Sequence, residues 1–425
     1  MEGAAENRSA WYEGFMFPDQ SFTFEFLRVM AKALEHGSDI GECLETALRI
    51  KEDGLDPQVL IANWYKKWLE IARRIHQAAD DCLARGHRVS ARDAYFRASE
   101  YYRSADFYLH ENPGNPAILE LSENMLLCFN KARELSTPVF EAIEIPYEGS
   151  TLPGYFCPAD GGGPAPTLII HQGFDGTAEE TYFGYGRAVM ARGYNCLLFE
   201  GPGQGSVIRK LGLPFRYDWE KVVTPVVDYA LKKPEVDPKR IALMGLSMGG
   251  VLAPRAAAYE HRLAALIANA GIYDLFENHL RGLGLTRAEA IKMLTEKSEE
   301  YDQAVGEAME KSVQVYWGIT NGMWVFQAKT PSELQLKQEK FHVRDCAHLI
   351  KCPTLVIDSE AEQFFPGQAR QLYHALTCPK TFLVFKAGEG SELHCQAGGH
   401  LLGNQQILDW LDETFTSLIG KAGNP

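Results

Sequence analysis

The first third of the chain carries its apolar residues at helical spacing. Between residues 22 and 135 they recur every three or four positions, without the alternation typical of strands. One such helical face is formed by Trp64, Trp68, Ile71 and Ile75. Prolines at positions 57, 113 and 116 mark the breaks between these segments. The pattern predicts a helical N-terminal domain over residues 1–138.

The pattern changes after Pro138. Residues 140–147 and 152–157 flank Gly149 and are typical of a hairpin. Six short apolar runs then alternate with helical segments. These runs lie at residues 167–170, 195–199, 240–244, 263–268, 354–357 and 381–385. Because continuous apolar runs indicate strands buried on both faces, residues 139–425 are predicted to form an α/β fold with a mostly parallel eight-stranded sheet.

One long helical stretch interrupts this alternation. Residues 275–349 contain several large aromatic side chains and are too many for a structureless loop in a compact domain. We expect a helical cap inserted between two strands. Its aromatic residues and two residues just before it are candidates for a substrate-binding wall, although ordinary helix packing explains them equally well. These candidates are Tyr273, Asp274, Trp317, Trp324 and Phe326.

Composition and charge narrow the classes of partner. The 425 residues are 46% apolar and 23% charged, which is typical of a globular protein, and the net charge is −14. Because that charge repels polyphosphate, nucleic-acid binding is not expected. The chain shows neither an 18-residue apolar run nor a signal-like N-terminus, and its nine cysteines contain no C-x-x-C pair. We therefore expect a cytoplasmic protein without membrane span, bound metal or other cofactor.

A nucleophile motif follows one of the predicted strands. The segment Gly245-Leu-Ser-Met-Gly249 has the form G-x-S-x-G and precedes a helix that is rich in small residues. In this motif a sharp strand-to-helix turn exposes the serine hydroxyl above the sheet. Ser247 is therefore the predicted nucleophile, and the Met248 N–H is the first predicted oxyanion donor.

The loops after two later strands offer a base and an acid. In folds that carry this motif, the catalytic acid follows the serine along the chain, and the histidine follows the acid. His394 follows the last strand, and His400 is its rival because it lies six residues further on. Glu362 is the predicted acid because it lies several residues past its strand, with Asp358 at the strand end as the alternative.

Two glycine-containing loops remain beside these residues. His171-Gln-Gly-Phe-Asp-Gly176 follows a strand, and Gly173 lets the chain turn so that the Phe174 N–H becomes the second predicted oxyanion donor. A tight turn alone would also explain these glycines. The segment Glu200-Gly-Pro-Gly-Gln-Gly205 lacks the spacing of a dinucleotide site and is interpreted as a loop under the active site. Cys395 is interpreted as a bystander.

Together these segments resemble the 2,6-dihydroxypseudooxynicotine hydrolase-like group of α/β hydrolases, close to fungal polyketide-shortening hydrolases of dihydroxynaphthalene-melanin biosynthesis. The resemblance is carried by H-Q-G-F-D-G, E-G-P-G-Q-G, G-L-S-M-G-G, C-P-T-L-V with the following F-F-x-G-Q, and E-x-H-C-Q. It implies Ser247 as nucleophile, His394 as base and Glu362 as acid. The group carries aspartate at the acid position, so Glu362 departs from its pattern.

The resemblance also implies a function. It points to hydrolysis of a C–C bond beside a ketone, a retro-Claisen reaction on a small polyketide or aromatic acyl substrate in fungal secondary metabolism and pigment biosynthesis. It further implies a homodimer. An esterase, lactonase or acyltransferase would use the same residues, and a catalytically silent binding or cyclisation module is the alternative from another class.

Overall fold

The computed structural model of the protein describes residues 10–161 and 163–422. Its centre is a single eight-stranded sheet. The strands, numbered β1 to β8 along the chain, are Glu141–Tyr147, Ser150–Cys157, Ala165–His171, Asn195–Phe199, Val236–Leu246, Ala265–Asn269, Thr354–Ser359 and Lys380–Phe385. Their spatial order is β1-β2-β4-β3-β5-β6-β7-β8. Only the β1–β2 and β2–β4 pairs are antiparallel, so the predicted α/β-hydrolase sheet is confirmed.

Five α-helices precede the sheet in the described part of the chain. Numbered α1 to α5, they are Gln20–Met30, Ile40–Ile50, Pro57–Ala84, Arg88–Asp106 and Pro116–Leu135. Two of the prolines that mark breaks in the sequence are the first residues of α3 and α5. Proline suits that position because the first helical N–H has no partner within the helix. The side chains of Asp56 and Asn115 cap these two helices by accepting backbone N–H bonds.

The remaining helices surround the sheet. Helices α6 to α9 are Ala178–Thr181, Arg187–Ala191, Glu220–Ala230 and Gly249–Ala257. Helices α10 to α14 are Leu275–Leu283, Arg287–Glu296, Ser298–Lys311, Val313–Val325 and Pro331–Gln338. Helices α15 and α16 are Gln368–Ala375 and His400–Ala422. The five helices α10 to α14 lie between β6 and β7, where the sequence places an insertion.

Two apolar layers cover the two faces of the sheet. Along β3, Leu168 and Ile170 belong to one core, whereas Ile169 between them belongs to the other. The first core also includes apolar side chains of the N-terminal helices, such as Trp68 and Phe129. The N-terminal helices therefore share a core with the sheet, and this packing places them on one of its two faces.

None of the helices in the described ranges combines the length and apolar character that crossing a membrane requires.

Candidate active site

The turn between β5 and α9 holds Ser247 in a left-handed backbone conformation. Its φ angle is +56°, which residues other than glycine seldom adopt. A Cβ on Gly250 would lie 1.6 Å from the carbonyl oxygen of Ala270, and a Cβ on Gly245 would lie 2.0 Å from that of Gly249. The two glycines are needed because the turn brings backbone segments into direct contact.

His394 and Glu362 lie in line with the serine hydroxyl. The Nε2 atom of His394 is 2.8 Å from Oγ of Ser247, and its Nδ1 atom is 2.6 Å from Oε2 of Glu362. The other carboxylate oxygen of Glu362 accepts the backbone N–H groups of Phe364 and Phe365 at 2.9 and 3.1 Å. The structure therefore brings these three predicted residues together, with the imidazole between hydroxyl and carboxylate.

The surroundings of this imidazole favour its charged form. The side chains of His394 and Glu362 are only 5% and 3% exposed. Burial disfavours charge on His394, but the neighbouring Cys395 sulfur and the Glu362 carboxylate raise the pKa of the imidazole well above its ordinary value. Burial likewise opposes charge on Glu362, but the adjacent His394 and the two backbone N–H bonds lower the pKa of its carboxyl. The charges of the pair stabilise each other.

The alternative acid and base, Asp358 and His400, do not take part in the contacts among Glu362, His394 and Ser247. Asp358 accepts the N–H of Ser359 at 3.0 Å, and within the described residues it forms no hydrogen bond with His394. His400 begins α16 and packs edge-on against Tyr185, with 5.5 Å between the ring centroids. Burial lowers the pKa of His400 to about 4, so its ring is neutral at pH 7. In the structure, His394 rather than His400 contacts the Ser247 hydroxyl, and Glu362 rather than Asp358 contacts His394.

The loop after β3 lies against the serine turn. A Cβ on Gly173 would be 2.5 Å from the backbone nitrogen of Met248, so glycine allows the two backbones to approach. Phe174 and Met248 both line the cavity in front of Ser247. In the described part of the chain, neither residue's N–H has a hydrogen-bond partner within the protein. Both amides are therefore available to an oxygen atom bound in that cavity.

The cavity in front of Ser247 has a volume of about 540 Å³ and is bordered by the N-terminal helices, the sheet loops and the cap. Much of its wall is aromatic or apolar. Six such residues are Phe24, Phe174, Met248, Trp317, Phe364 and Phe365. The ring of Phe24 also packs at 6.4 Å from that of His394, between centroids. This volume and lining suit a small, largely apolar molecule.

One wall of the cavity is ionic, and its residues are not among those predicted from the sequence. Arg28 of α1 donates to Glu180 at 2.5 Å and to Asp175 at 2.6 Å, and Lys32 donates to Glu180 at 2.7 Å. Glu25 faces the same cavity; burial raises the pKa of its carboxyl to about 7, and Asp175 adds to the rise although Arg28 opposes it. The sequence does carry a signal for this wall, because the charged residues Glu25, Arg28 and Lys32 recur at helical spacing in a largely apolar segment.

Two predicted substrate-wall residues just before the cap do not line this cavity. Asp274 caps α10 by accepting the N–H of Phe276 at 3.0 Å, and its carboxylate forms ion pairs with Arg287 and Arg344. Its side chain is fully buried. Tyr273 is half-buried beside the same turn. The predicted substrate contact is wrong for both residues, because they lie at the start of the cap, where their N–H groups donate to Gln368, and not in the wall of the cavity at Ser247.

The predicted cap aromatics divide into two groups. Trp317 lines the cavity, stacks on Phe107 with 4.5 Å between ring centroids, and donates its Nε1–H to the Phe107 carbonyl at 2.9 Å. Trp324 instead packs on His110, and Phe326 packs in the core below. Trp317 therefore remains a candidate substrate contact, whereas Trp324 and Phe326 belong to helix packing.

Cys395 lies next to the serine turn. Its sulfur is 3.2 Å from the backbone nitrogen of Ser247 and 3.4 Å from the carbonyl oxygen of Asn269. The thiol thus links the histidine-bearing loop to the serine-bearing loop, which supports a packing role beside the nucleophile.

Among residues 10–161 and 163–422, no three His, Cys, Asp or Glu side chains are grouped as a metal ion requires.

Comparison with known proteins gives one family match and many relatives. Residues 153–401 match the model of a family described as X-Pro dipeptidyl-peptidase (S15 family). The chain is 33% identical to hydrolase acrC of Aspergillus aculeatus, over 94% of this chain and 97% of that protein. It is also 33% identical to 20-hydroxy-prefusarin hydrolase FUS2 of Gibberella moniliformis, over 94% of this chain and 98% of the relative.

Solved structures extend the likeness to the whole fold. The crystal structure of 2,6-dihydroxy-pseudo-oxynicotine hydrolase superposes with a TM-score of 0.69 and covers 90% of this chain and 94% of its own. The two sequences are 22% identical, so this likeness concerns the fold. It includes the helical N-terminal region as well as the sheet, because the matched share exceeds the sheet portion of the chain.

Proposed function

We propose that this chain, which belongs to the S15 family of α/β hydrolases, cleaves an acyl bond through a covalent intermediate on Ser247. The observation that carries this proposal is the continuous contact from Glu362 through His394 to the Ser247 hydroxyl, at 2.6 and 2.8 Å. A serine hydroxyl needs such a base to attack a carbonyl at neutral pH. The left-handed turn at Ser247 supports the same role because it presents the hydroxyl to the cavity.

The first half of the reaction forms the acyl-enzyme. Nε2 of neutral His394 takes the Ser247 proton as Oγ attacks the substrate carbonyl carbon. Negative charge then develops on the carbonyl oxygen, and the N–H groups of Phe174 and Met248 stabilise it. When the tetrahedral intermediate collapses, the bond to the leaving group breaks and protonated His394 donates its proton to that group.

The second half releases the acid. A water molecule gives a proton to Nε2 of His394 and its oxygen attacks the acyl carbon on Ser247. The same two N–H groups stabilise the second oxyanion, and collapse returns the proton from His394 to Oγ. Throughout, Glu362 holds the Nδ1–H of the imidazole and stabilises its transient positive charge.

The bond that breaks is proposed to join a ketone carbon to a neighbouring carbon, as in a retro-Claisen hydrolysis of a polyketide-derived substrate. The leaving carbon must then depart as a stabilised enolate or aromatic carbon, which takes the proton that His394 carries. The apolar cavity of about 540 Å³ supports a small molecule of this kind. The whole-length likeness to fungal hydrolases, one of which is called a 20-hydroxy-prefusarin hydrolase, supports a role in secondary metabolism.

A silent binding module is less well supported. Such a module has no need for an imidazole held between a carboxylate and a strained serine, since both the strain and the buried charges cost stability. A cytoplasmic location, a homodimer and a role in pigment formation stay predictions that rest on sequence features and resemblance.

Turnover of a substrate panel tests the proposal. The panel contains a β-diketone, an aryl acyl ketone, an aryl ester and an X-Pro anilide, with products identified by mass spectrometry. We expect release of an acid from one of the ketones, loss of that activity in Ser247→Ala, and parent-like activity in the exposed control Ser90→Ala. Full activity of Ser247→Ala would reject the mechanism, and hydrolysis of the ester alone would reject the C–C bond assignment.

A further inference from the structure

The E-G-P-G-Q-G segment after β4 has a structural feature that the proposed reaction does not yet explain. Gln204, its fifth residue, is fully buried beneath the loop that follows β3. The side-chain Nε2 of Gln204 donates to the carbonyl oxygen of Gln172 and, at 3.2 Å, to that of Gly173. Burying a side-chain amide destabilises the fold unless its polar atoms are hydrogen-bonded. The three backbone contacts of Gln204 therefore point to a specific structural role.

The orientation of this amide is fixed by its partners. The Oε1 atom of Gln204 accepts the backbone N–H of Gly201 at 2.8 Å, and an N–H group can only donate. The carbonyl oxygens of Gln172 and Gly173 can only accept, so the NH₂ end of Gln204 must face them. Rotating the amide by 180° would break every one of these contacts, which excludes the opposite assignment.

The contact to Gly173 determines where the next N–H points. In a trans peptide the C=O of one residue and the N–H of the following residue lie on opposite sides of the chain. The peptide between Gly173 and Phe174 is trans, since the cis bonds among the described residues lie elsewhere. Because Gln204 holds the Gly173 oxygen on the buried side, the Phe174 N–H lies on the side away from Gln204.

A second amide fixes the other side of the same residue. Nδ2 of Asn321, from α13 of the cap, donates to the Phe174 carbonyl oxygen at 3.3 Å. Oδ1 of Asn321 is 2.9 Å from Nδ1 of His110, which can donate to it. The peptide groups before and after Phe174 are thus each held through their carbonyl oxygen.

We infer that Gln204 is a positioning residue that keeps the Phe174 N–H turned toward the cavity as an oxyanion donor. The inference rests on the proposed function, since an oxyanion arises only if Ser247 attacks a carbonyl. Gln204 itself is buried behind the loop and touches neither Ser247 nor the cavity. Without its NH₂ group, the Gly173–Phe174 peptide is free to rotate and present a carbonyl oxygen instead of an N–H to the developing negative charge.

The test uses Gln204→Glu, which keeps the shape of the side chain and the bond from Gly201. An ionised carboxylate at this position repels the two carbonyl oxygens, and a protonated carboxyl can donate to only one of them. Since losing one oxyanion donor typically slows kcat by about 100-fold or more, we expect a fall of that size with little change in KM. Gln303→Glu, on the exposed face of α12, is the matched control and should behave as the parent.

A readout that ordinary destabilisation would not move is the binding of transition-state analogues. In Gln204→Glu, affinity for a trifluoromethyl ketone, which forms a tetrahedral adduct with the serine, should fall by about the same factor as kcat/KM. Affinity for the product acid should stay near the parent value. Equal losses for both ligands would contradict a positioning role and overturn the inference.

Two measurements keep the inference testable if Gln204→Glu does not fold. Gln204→Met removes the donor without introducing charge and should slow kcat in the same direction. In addition, a crystal structure of the parent protein with a phosphonate on Ser247 should show the phosphonyl oxygen within hydrogen-bond distance of the Phe174 N–H. A parent-like kcat in Gln204→Met, which cannot donate in any protonation state, or a Phe174 N–H turned away in the adduct, would overturn the inference. The Ser247→Ala result judges the proposed function separately.

Discussion

Replacement of Glu362 by glutamine is the perturbation whose outcome the structure specifies in most detail. One carboxylate oxygen accepts the N–H groups of Phe364 and Phe365, and the other lies 2.6 Å from Nδ1 of His394. In Glu362→Gln the amide oxygen stays with the two backbone donors, because an NH₂ group cannot accept them. The amide NH₂ then faces Nδ1 of His394, which must become an acceptor.

That change moves the imidazole proton to the wrong nitrogen. With Nδ1 accepting, neutral His394 carries its proton on Nε2 and can no longer take the proton of Ser247. The same tautomer error in a serine protease lowers kcat by about 10⁴-fold, so we expect a loss of that order, equivalent to roughly 5 kcal/mol of transition-state stabilisation. The measurement is steady-state kinetics on the best substrate of the panel.

The pH dependence of activity provides a second, independent test of the role of Glu362. His394 must be neutral to act as base, so activity falls as pH drops through its pKa, which the Glu362 carboxylate raises in the parent. Loss of the Glu362 charge lowers that pKa, so the acid limb of kcat/KM should move to lower pH by about 1–3 units. Glu362→Asp keeps the charge and should leave the limb near its parent position while slowing the reaction.

Asp358 is the natural control because it is the other carboxyl of the same loop. Asp358→Asn should keep a parent-like rate, since its carboxylate contacts Ser359 rather than His394. The reasoning would be refuted if Glu362→Gln kept more than about a tenth of the parent kcat, or if Asp358→Asn were the more damaging change.

Three further outcomes follow from other contacts. Gly173→Ala would place a Cβ 2.5 Å from the Met248 nitrogen, so kcat should fall by about 100-fold; a parent-like rate would show that the two backbones can separate harmlessly. Trp317→Ala removes one aromatic wall and should raise KM more than it lowers kcat, whereas unchanged KM would place the substrate elsewhere. Burial opposes charge on Asp106, but Arg209 and His110 outweigh it and lower the pKa of this carboxyl to about 2. The charge of Asp106 therefore stabilises the fold above the unfolded pKa, and this contribution is lost as pH falls toward 2. Asp106→Asn should therefore lose about 2 kcal/mol of unfolding free energy in denaturant melts at pH 7, with a gap to the parent that narrows below pH 4; a constant gap would contradict this assignment.

The sheet was predictable because each strand is encoded locally. The run at 195–199 coincides with β4, and the runs at 167–170 and 354–357 lie within slightly longer strands. Continuous apolar runs identify buried strands without knowledge of their partners. Ser247 and His394 could likewise be predicted from the sequence, since a sharp turn and a post-strand loop are both local features with a fixed chain order.

The cavity wall was less predictable because it is assembled from distant parts of the chain. Arg28 and Asp175 are 147 residues apart, and no local pattern reports that their side chains meet. For Asp274 the sequence predicted a substrate contact that the structure does not contain. Its place before the cap suggested substrate contact, yet its carboxylate is used for a helix cap and ion pairs. The sequence predicts only a loop around Gln204, because the contacts of its side chain are to two carbonyl groups of another loop.

The most direct test of the central claim is mass spectrometry of the intact protein after treatment with a fluorophosphonate. We expect one phosphonyl group per chain, on the peptide that contains Ser247, with no labelling of Ser247→Ala and much slower labelling of His394→Ala. Labelling at a different residue, or an unmodified parent protein after prolonged exposure, would contradict the claim that Ser247 is an activated nucleophile.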